Sequence, residues 1–294
     1  MLIRRHPLDI IQLLPKRIKE SHKGTYGKVL LIAGSNQYTG AAALMAEAAL
    51  RSGVGMVFIV CTHLTADVIR SRSPEVVVIE SAEENGVLHK STLDTVRELI
   101  NKHNFSAIGV GSGIGTLKHE SEFYAALINL FLPLDCAILF DAEAMPPAYK
   151  FLLKNRVSEQ RFVFTPHPKE FLRMVNLDRL EDINKDVLQS AKQVNQTIVY
   201  KTHSTIIASV EGIWRCPTGS QTLATAGSGD VLSGLITGLL AQGLNSNQGA
   251  MLGVYLHGLI GELAEKNIGL RSVLARDLCD LISDAFLALG DHHV

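Results

Sequence analysis

Seven short runs of this chain are apolar at nearly every position and not merely at every second one: Lys28–Ala33, Met56–Cys61, Glu75–Ile79, Ala107–Val110, Ala137–Phe140, Phe162–Phe164 and Thr197–Tyr200. A strand with one face in water alternates apolar and polar residues, so an unbroken apolar strand has to be covered on both faces. Between these runs, Ala41–Arg51, Thr92–His103, Glu120–Leu130 and Asp182–Asn195 fit helices. Alternation of this kind predicts an α/β fold, a doubly wound and mostly parallel sheet with helices on both faces. Thr205–Ser209 and Ile213–Cys216, joined through Glu211-Gly212, look instead like a hairpin, which predicts an antiparallel edge. No repeat, low-complexity tract or Pro/Gly/Ser linker divides the chain. A single domain over residues 1–294 is expected, with residues 1–22 as an N-terminal extension or helix.

Composition narrows the function classes. Apolar residues make up 47% of the chain and charged residues 19%, which gives a globular protein with a sizeable core. The 28 Lys and Arg nearly balance the 29 Asp and Glu, for a net charge of −1. That balance supplies no basic footprint, so neither a nucleic-acid nor a membrane partner is expected. The four cysteines are far apart with no C-x-x-C pair. They read as buried reduced thiols of a cytoplasmic protein, not as a disulfide framework or a zinc site, and no metal ligands are singled out. The uncharged run Ile10–Pro15 is too short for a secretory signal. Val231–Gly261 lacks Asp, Glu, Lys and Arg, but Gln242, Asn245, Asn247 and Gln248 split it into two pieces. Those pieces have the length of core helices and not of a membrane span.

In doubly wound folds ligands bind outside the carboxyl ends of the strands, so the chemistry is sought in the turns that follow them. The richest is Ala224–Gly234, ATAGSGDVLSG, where Gly227 and Gly229 precede a long apolar helix beginning near Asp230. Glycine allows close approach of an anion, and the first amides of a helix, at the positive end of its dipole, have no internal partner. The segment therefore reads as a phosphate cradle. Asp230 either caps the helix or takes a proton from a hydroxyl that attacks a phosphoryl group held there. Gly109–Gly115 is spaced G-x-G-x-G and lacks an acidic residue at the right distance, Asp141 being the nearest, so it is a poor dinucleotide fingerprint. Gly34–Ala42 lacks the G-K-[ST] of a P-loop. In Thr165–Glu170, two prolines stiffen a turn that holds His167 at a strand end, while Glu170 enters the next helix. His167 is either a solvated turn residue or part of a site. Lys201, after the strand Thr197–Tyr200, either meets phosphate or is a solvated charge.

Several longer stretches occur in order: KGTYGKVLLIAGS at Lys23–Ser35, TGAAALMAEAALRSGVG at Thr39–Gly55, PEV at Pro74–Val76, VGSGIG at Val110–Gly115 and DAEA at Asp141–Ala144. They continue with TPHPKEFLRM at Thr165–Met174, YKTHSTIIA at Tyr200–Ala208, ATAGSGDVLSGLITGLLAQG at Ala224–Gly243 and YLHG at Tyr255–Gly258. Together they resemble the ADP/ATP-dependent NAD(P)H-hydrate dehydratase family of the ribokinase-like superfamily, over nearly the whole chain from Lys23. The resemblance implies a ribokinase-like fold and a repair lyase. Such an enzyme phosphorylates the added hydroxyl of S-form NADH hydrate or NADPH hydrate with ADP or ATP, aided by Mg²⁺, and then eliminates phosphate. It implies a catalytic Asp230 that also contacts the hydrate, with Ala41, Gly113 and His167 as further hydrate contacts. Nucleotide contacts follow at Lys201, Thr202, His203, Ser204, Thr205 and Gly229, with an anion hole of Ala226, Gly227, Ser228 and Gly229. It also implies a homo-oligomer, commonly a tetramer. Thr202 and Lys169 stand where glycine is usual, Ser112 where proline is usual, and Ser220-Gln221-Thr222-Leu223 where N-P-G-M is common. No part of this chain matches the fused epimerase domain of many relatives, so epimer interconversion is not expected of it. Two other readings are a small-molecule kinase of the same superfamily and a non-catalytic dinucleotide-binding protein.

Overall fold

A computed structural model describes residues 7–290, so the first six residues of the expected N-terminal extension lie outside the described residues. Strands β1 (Lys28–Ile32), β2 (Met56–Cys61), β3 (Val77–Glu80), β4 (Glu83–Glu84), β5 (Val87–Leu88), β6 (Ala107–Val110), β7 (Ala137–Phe140), β8 (Phe162–Phe164), β9 (Thr197–Tyr200), β10 (Ile206–Ser209) and β11 (Gly212–Arg215) follow in chain order. Helices α1 (Pro7–Ile11), α2 (Thr39–Arg51), α3 (His63–Arg72), α4 (Thr92–Lys102), α5 (Glu120–Phe131) and α6 (Met145–Asn155) occupy the first half. In the second half come α7 (Pro168–Val175), α8 (Ile183–Val194), α9 (Ser228–Ala241), α10 (Ser246–Asn267), α11 (Ala275–Asp280) and α12 (Ile282–Ala288).

Nine strands form one sheet in the order β11-β10-β9-β8-β7-β6-β1-β2-β3, and β4-β5 is a separate small hairpin. From β3 to β9 every neighbouring pair is parallel; β9-β10 and β10-β11 are antiparallel, which is the expected edge. Burial on both faces explains the unbroken apolar runs. In β1, Val29 and Leu31 pack with α2, α9 and α10 on one side, while Leu30 and Ile32 pack with α5, α6 and α8 on the other. The break at Gln242–Asn245 is the turn between two buried helices, α9 and α10. Asn245 caps the second, its side chain accepting from the Gln248 amide. Among the described residues, no helix is long and apolar enough to cross a membrane.

The third strand starts at Val77, two residues later than read from sequence, because Pro74 and Glu75 belong to the turn before it. Helices α3 and α6 were not anticipated. The mean hydropathy of α3 is low, and α6 opens on Pro146 and Pro147, which suit a first helical turn but read as a loop. Chain order reverses between β1 and β6, since β1 continues to β2 and β3 on one side and β6 lies on the other. Such a switch point leaves a crevice at the carboxyl ends, and the turns after β6, β7, β8 and β9 all open toward it.

Candidate active site

Helix α9 begins two residues before Asp230, and Gly227 is its N-cap, with φ +90°. A left-handed cap is costly for most residues but not for glycine. Asp230 is therefore not the cap but sits in the first turn, half-buried. The Ser228 amide donates to the Thr225 carbonyl (3.3 Å) and the Val231 amide to the Gly227 carbonyl (3.1 Å). Those of Ala226, Gly227, Gly229 and Asp230 have no acceptor among the described residues. A Cβ added to Gly229 would approach only the Lys201 ammonium, at 3.4 Å, so this turn faces open space with a cation across it. Open amides, a helix N-terminus and a lysine are all groups that attract an anion.

Lys201 emerges from the end of β9, its Nζ 3.3 Å from Asp141 Oδ1 and 3.7 Å from Glu170 Oε2. Asp141, directly after β7, is buried and accepts from the Thr165 hydroxyl (2.7 Å) and the Ser112 hydroxyl (3.0 Å). Burial pushes the Asp141 carboxyl up, but the Lys201 charge and the hydroxyls of Thr165 and Ser112 together hold it below the usual range. Burial likewise pulls Lys201 down, while Asp141 and Glu170 outweigh it and keep the ammonium charged. Asp230 goes the other way. Burial first, then the like charge of Asp141, lifts it from 3.8 to about 7, against weaker opposing pulls from Ser112 and Lys201. The result is one carboxylate held ionised beside another made more basic, the pattern that separates structural from proton-transfer carboxylates.

His167 is exposed and caps α7: its Nδ1 accepts from the Glu170 amide (3.2 Å), and its own amide donates to the Glu170 carboxylate (2.8 Å). This places the proton of a neutral ring on Nε2. Gly113, with φ +65°, lies against Ala41, because a Cβ at 113 would meet the Ala41 Cβ at 2.7 Å. Gly113 directly follows Ser112 after β6, and Ala41 lies in α2, the helix after β1, so the two meet at the β1/β6 switch point. In the loop after β9, the Thr202 hydroxyl accepts from the Ser204 amide (3.3 Å), and the Thr205 hydroxyl donates to the Thr202 carbonyl (3.1 Å).

A cavity of about 940 Å³ is lined by His167, Lys201, Thr202, His203, Thr205, Ser228 and Gly229, among others. It is large enough for a nucleotide-sized ligand. Ala41, Gly113 and Asp230 lie outside its lining, toward the switch point. Three side chains of this region were not read as site residues from the sequence. Asp141 is signalled by being the acidic residue directly after a fully apolar strand. Ser112 is signalled by its place in the turn after β6. His257, from the YLHG stretch, is buried with Nε2 3.1 Å from the Ser228 hydroxyl, and burial holds it neutral, down to about 4.

Sheet order, switch point and glycine-led helix define a ribokinase-like α/β protein. The family described as NAD(P)H-hydrate dehydratase matches residues 29–284, and the chain belongs to it. It is 33% identical to the ADP-dependent (S)-NAD(P)H-hydrate dehydratase of Bacillus subtilis, over 92% of each chain. It is equally 33% identical to the bifunctional NAD(P)H-hydrate repair enzyme of Moorella thermoacetica, over 92% of this chain but 51% of that one. The chain thus spans about half the length of the bifunctional relatives it matches. A crystal structure of the ADP/ATP-dependent NAD(P)H-hydrate dehydratase from Bacillus subtilis, co-crystallised with ATP/Mg²⁺, superposes with a TM-score of 0.81 at 29% identity, covering 97% of both chains. A ribokinase-like superfamily protein from Enterococcus faecalis has the same fold, with a TM-score of 0.81 at 22% identity over 98% of this chain and 96% of its own.

Proposed function

We propose that this chain repairs nicotinamide cofactors, dehydrating the S-form of NADH hydrate or NADPH hydrate with ADP or ATP as co-substrate. The observation that carries the reading is a half-buried Asp230 of raised basicity, in the first turn of a helix where the Gly229 and Asp230 amides are open and Gly229 faces Lys201. The similarity to ADP-dependent relatives supports the choice of substrate. Asp230 takes the proton of the added hydroxyl as its oxygen attacks the terminal phosphorus of the nucleotide. AMP leaves when ADP is the donor, and ADP leaves when ATP is. Hydroxide is a poor leaving group and phosphate a good one, so loss of phosphate with the neighbouring ring proton restores the dihydronicotinamide.

The amides of Ala226, Gly227 and Gly229 meet the charge that develops on the phosphoryl oxygens, with the Lys201 ammonium opposite. Lys201 to Thr205 hold the nucleotide along the cavity, and His167, Ala41 and Gly113 border the hydrate. Among the described residues, no group of three His, Cys, Asp or Glu could cage a metal. Mg²⁺ would enter with the nucleotide and neutralise charge during transfer. A homo-oligomer, as a tetramer in the cytoplasm, completes the proposal.

The test is incubation with NADH hydrate and each nucleotide in turn, following recovery of absorbance near the reduced-nicotinamide band at about 340 nm. Recovery with ADP or ATP, and none without nucleotide, supports the reading. No recovery with either, together with stable phosphorylation of an alcohol, establishes a kinase instead.

A further inference from the structure

Among the described residues, Asp141 is the one Asp, Glu, Lys or Arg whose whole residue is buried, at 3% exposure. A buried charge is costly unless it is paired and fully hydrogen-bonded. This one is tied to three other strand ends: Ser112 after β6 (3.0 Å), Thr165 after β8 (2.7 Å) and Lys201 after β9 (3.3 Å). An apolar side chain would hold four strand ends together at less cost, so mere cohesion does not account for it. Two of its three partners, Ser112 and Lys201, also act on Asp230.

We propose that Asp141 is a positioning residue for this reaction, fixing Ser112 and Lys201 and with them the surroundings in which Asp230 receives the substrate proton. The proposal rests on the repair reading of Asp230 given above. Four elements present titratable groups to this region: Asp141 after β7, Lys201 after β9, Glu170 on α7 and, beside Lys201, His257 on α10. His257 is neutral, leaving two carboxylates that raise Asp230 and one ammonium that lowers it. Loss of the Asp141 charge removes the larger repulsion and frees Lys201 to lean on Asp230. Both effects make Asp230 less basic.

The experiment compares wild type, Asp141→Asn and Asp141→Glu in hydrate repair from about pH 5 to pH 9, with a ¹³C-carboxyl NMR titration of Asp230 assigned through Asp230→Asn. For Asp141→Asn the acid limb and the Asp230 resonance both move to lower pH by about one unit or more. At the same time kcat falls about tenfold or more. Asp141→Glu returns the limb toward wild type. An unmoved limb and an unmoved resonance in folded Asp141→Asn overturn the proposal. A wild type without repair activity, whose resonance still moves on substitution, sinks the repair reading and leaves the control of Asp230 by Asp141 standing. Should Asp141→Asn not fold, Thr165→Val leaves the Asp141 charge in place, removes its 2.7 Å bond together with the 3.3 Å bond to the Phe140 carbonyl, and is read the same way. A fall in kcat with a displaced limb supports the proposal, and lowered stability with kcat and limb unchanged refutes it.

Discussion

Asp230→Asn should leave the protein nearly inactive yet more stable, and the gain in stability should grow with pH. Burial and the Asp141 charge raise the Asp230 carboxyl from 3.8 to about 7. A group whose folded value is raised contributes fully below its unfolded value, and that contribution is lost as pH climbs through the folded one. Each unit corresponds to about 1.36 kcal/mol. Between about pH 5.5 and pH 7, wild type therefore loses about 2 kcal/mol relative to the Asn form, with little further change above pH 8. Urea titrations of both proteins at about pH 5.5 and pH 8.5 measure this directly, since the gap between them should widen by about 2 kcal/mol. In the repair assay kcat should fall by about 10²–10⁴-fold, with ADP affinity by calorimetry changed only a few-fold. A stability gap that stays constant across this range, or turnover that survives the substitution, refutes the assignment of Asp230 as a base of raised pKa.

Gly229→Val should abolish measurable ADP binding in calorimetry, because its side chain would enter the space between the open amides and Lys201; unchanged affinity would remove the anion site from that turn. Gly234→Ala should destabilise by about 1–3 kcal/mol in urea titration, since the new Cβ would lie 2.1 Å from the Met45 carbonyl where α9 crosses α2. A neutral effect would mean that these helices can part freely. Lys201→Met should cost about 3 kcal/mol at neutral pH by leaving the buried Asp141 unpaired. Thermal denaturation that matches wild type would show the ion pair to be dispensable.

What could be read from the sequence, and what could not, follows the range of the forces involved. The parallel strands were legible because burial on both faces acts on every residue of a run, as in Val29 to Ile32. The glycine-led start of α9 was legible because Gly227 and Gly229 sit within a few residues of one another at the head of a long apolar run. Asp141 and Ser112 could not be assigned in this way. They are 29 residues apart, and their hydrogen bond exists only because β6 and β7 are neighbours in the sheet. The capping reading of Asp230 was likewise set aside only by a three-dimensional fact, the N-cap at Gly227.

The departures from the family pattern can be weighed in the same terms. Thr202 stands where glycine is usual, but its φ is not positive, so glycine's freedom is not needed there. Its hydroxyl also binds both the amide and the carbonyl of Ser204. Ser112, where proline is usual, adds a hydroxyl donor to Asp141. Lys169 is exposed in the first turn of α7. The loop in place of N-P-G-M is pinned to α10: the Ser220 hydroxyl donates to Glu265 (2.5 Å) and the Gly219 amide to Glu262 (3.0 Å). Ser220, Gly219 and Glu265 line the cavity, whereas Asp230 and Asp141 do not. If, as proposed, proton transfer depends on the inner cluster and nucleotide choice on the cavity wall, this chain should differ from its relatives in nucleotide selection before it differs in the chemical step.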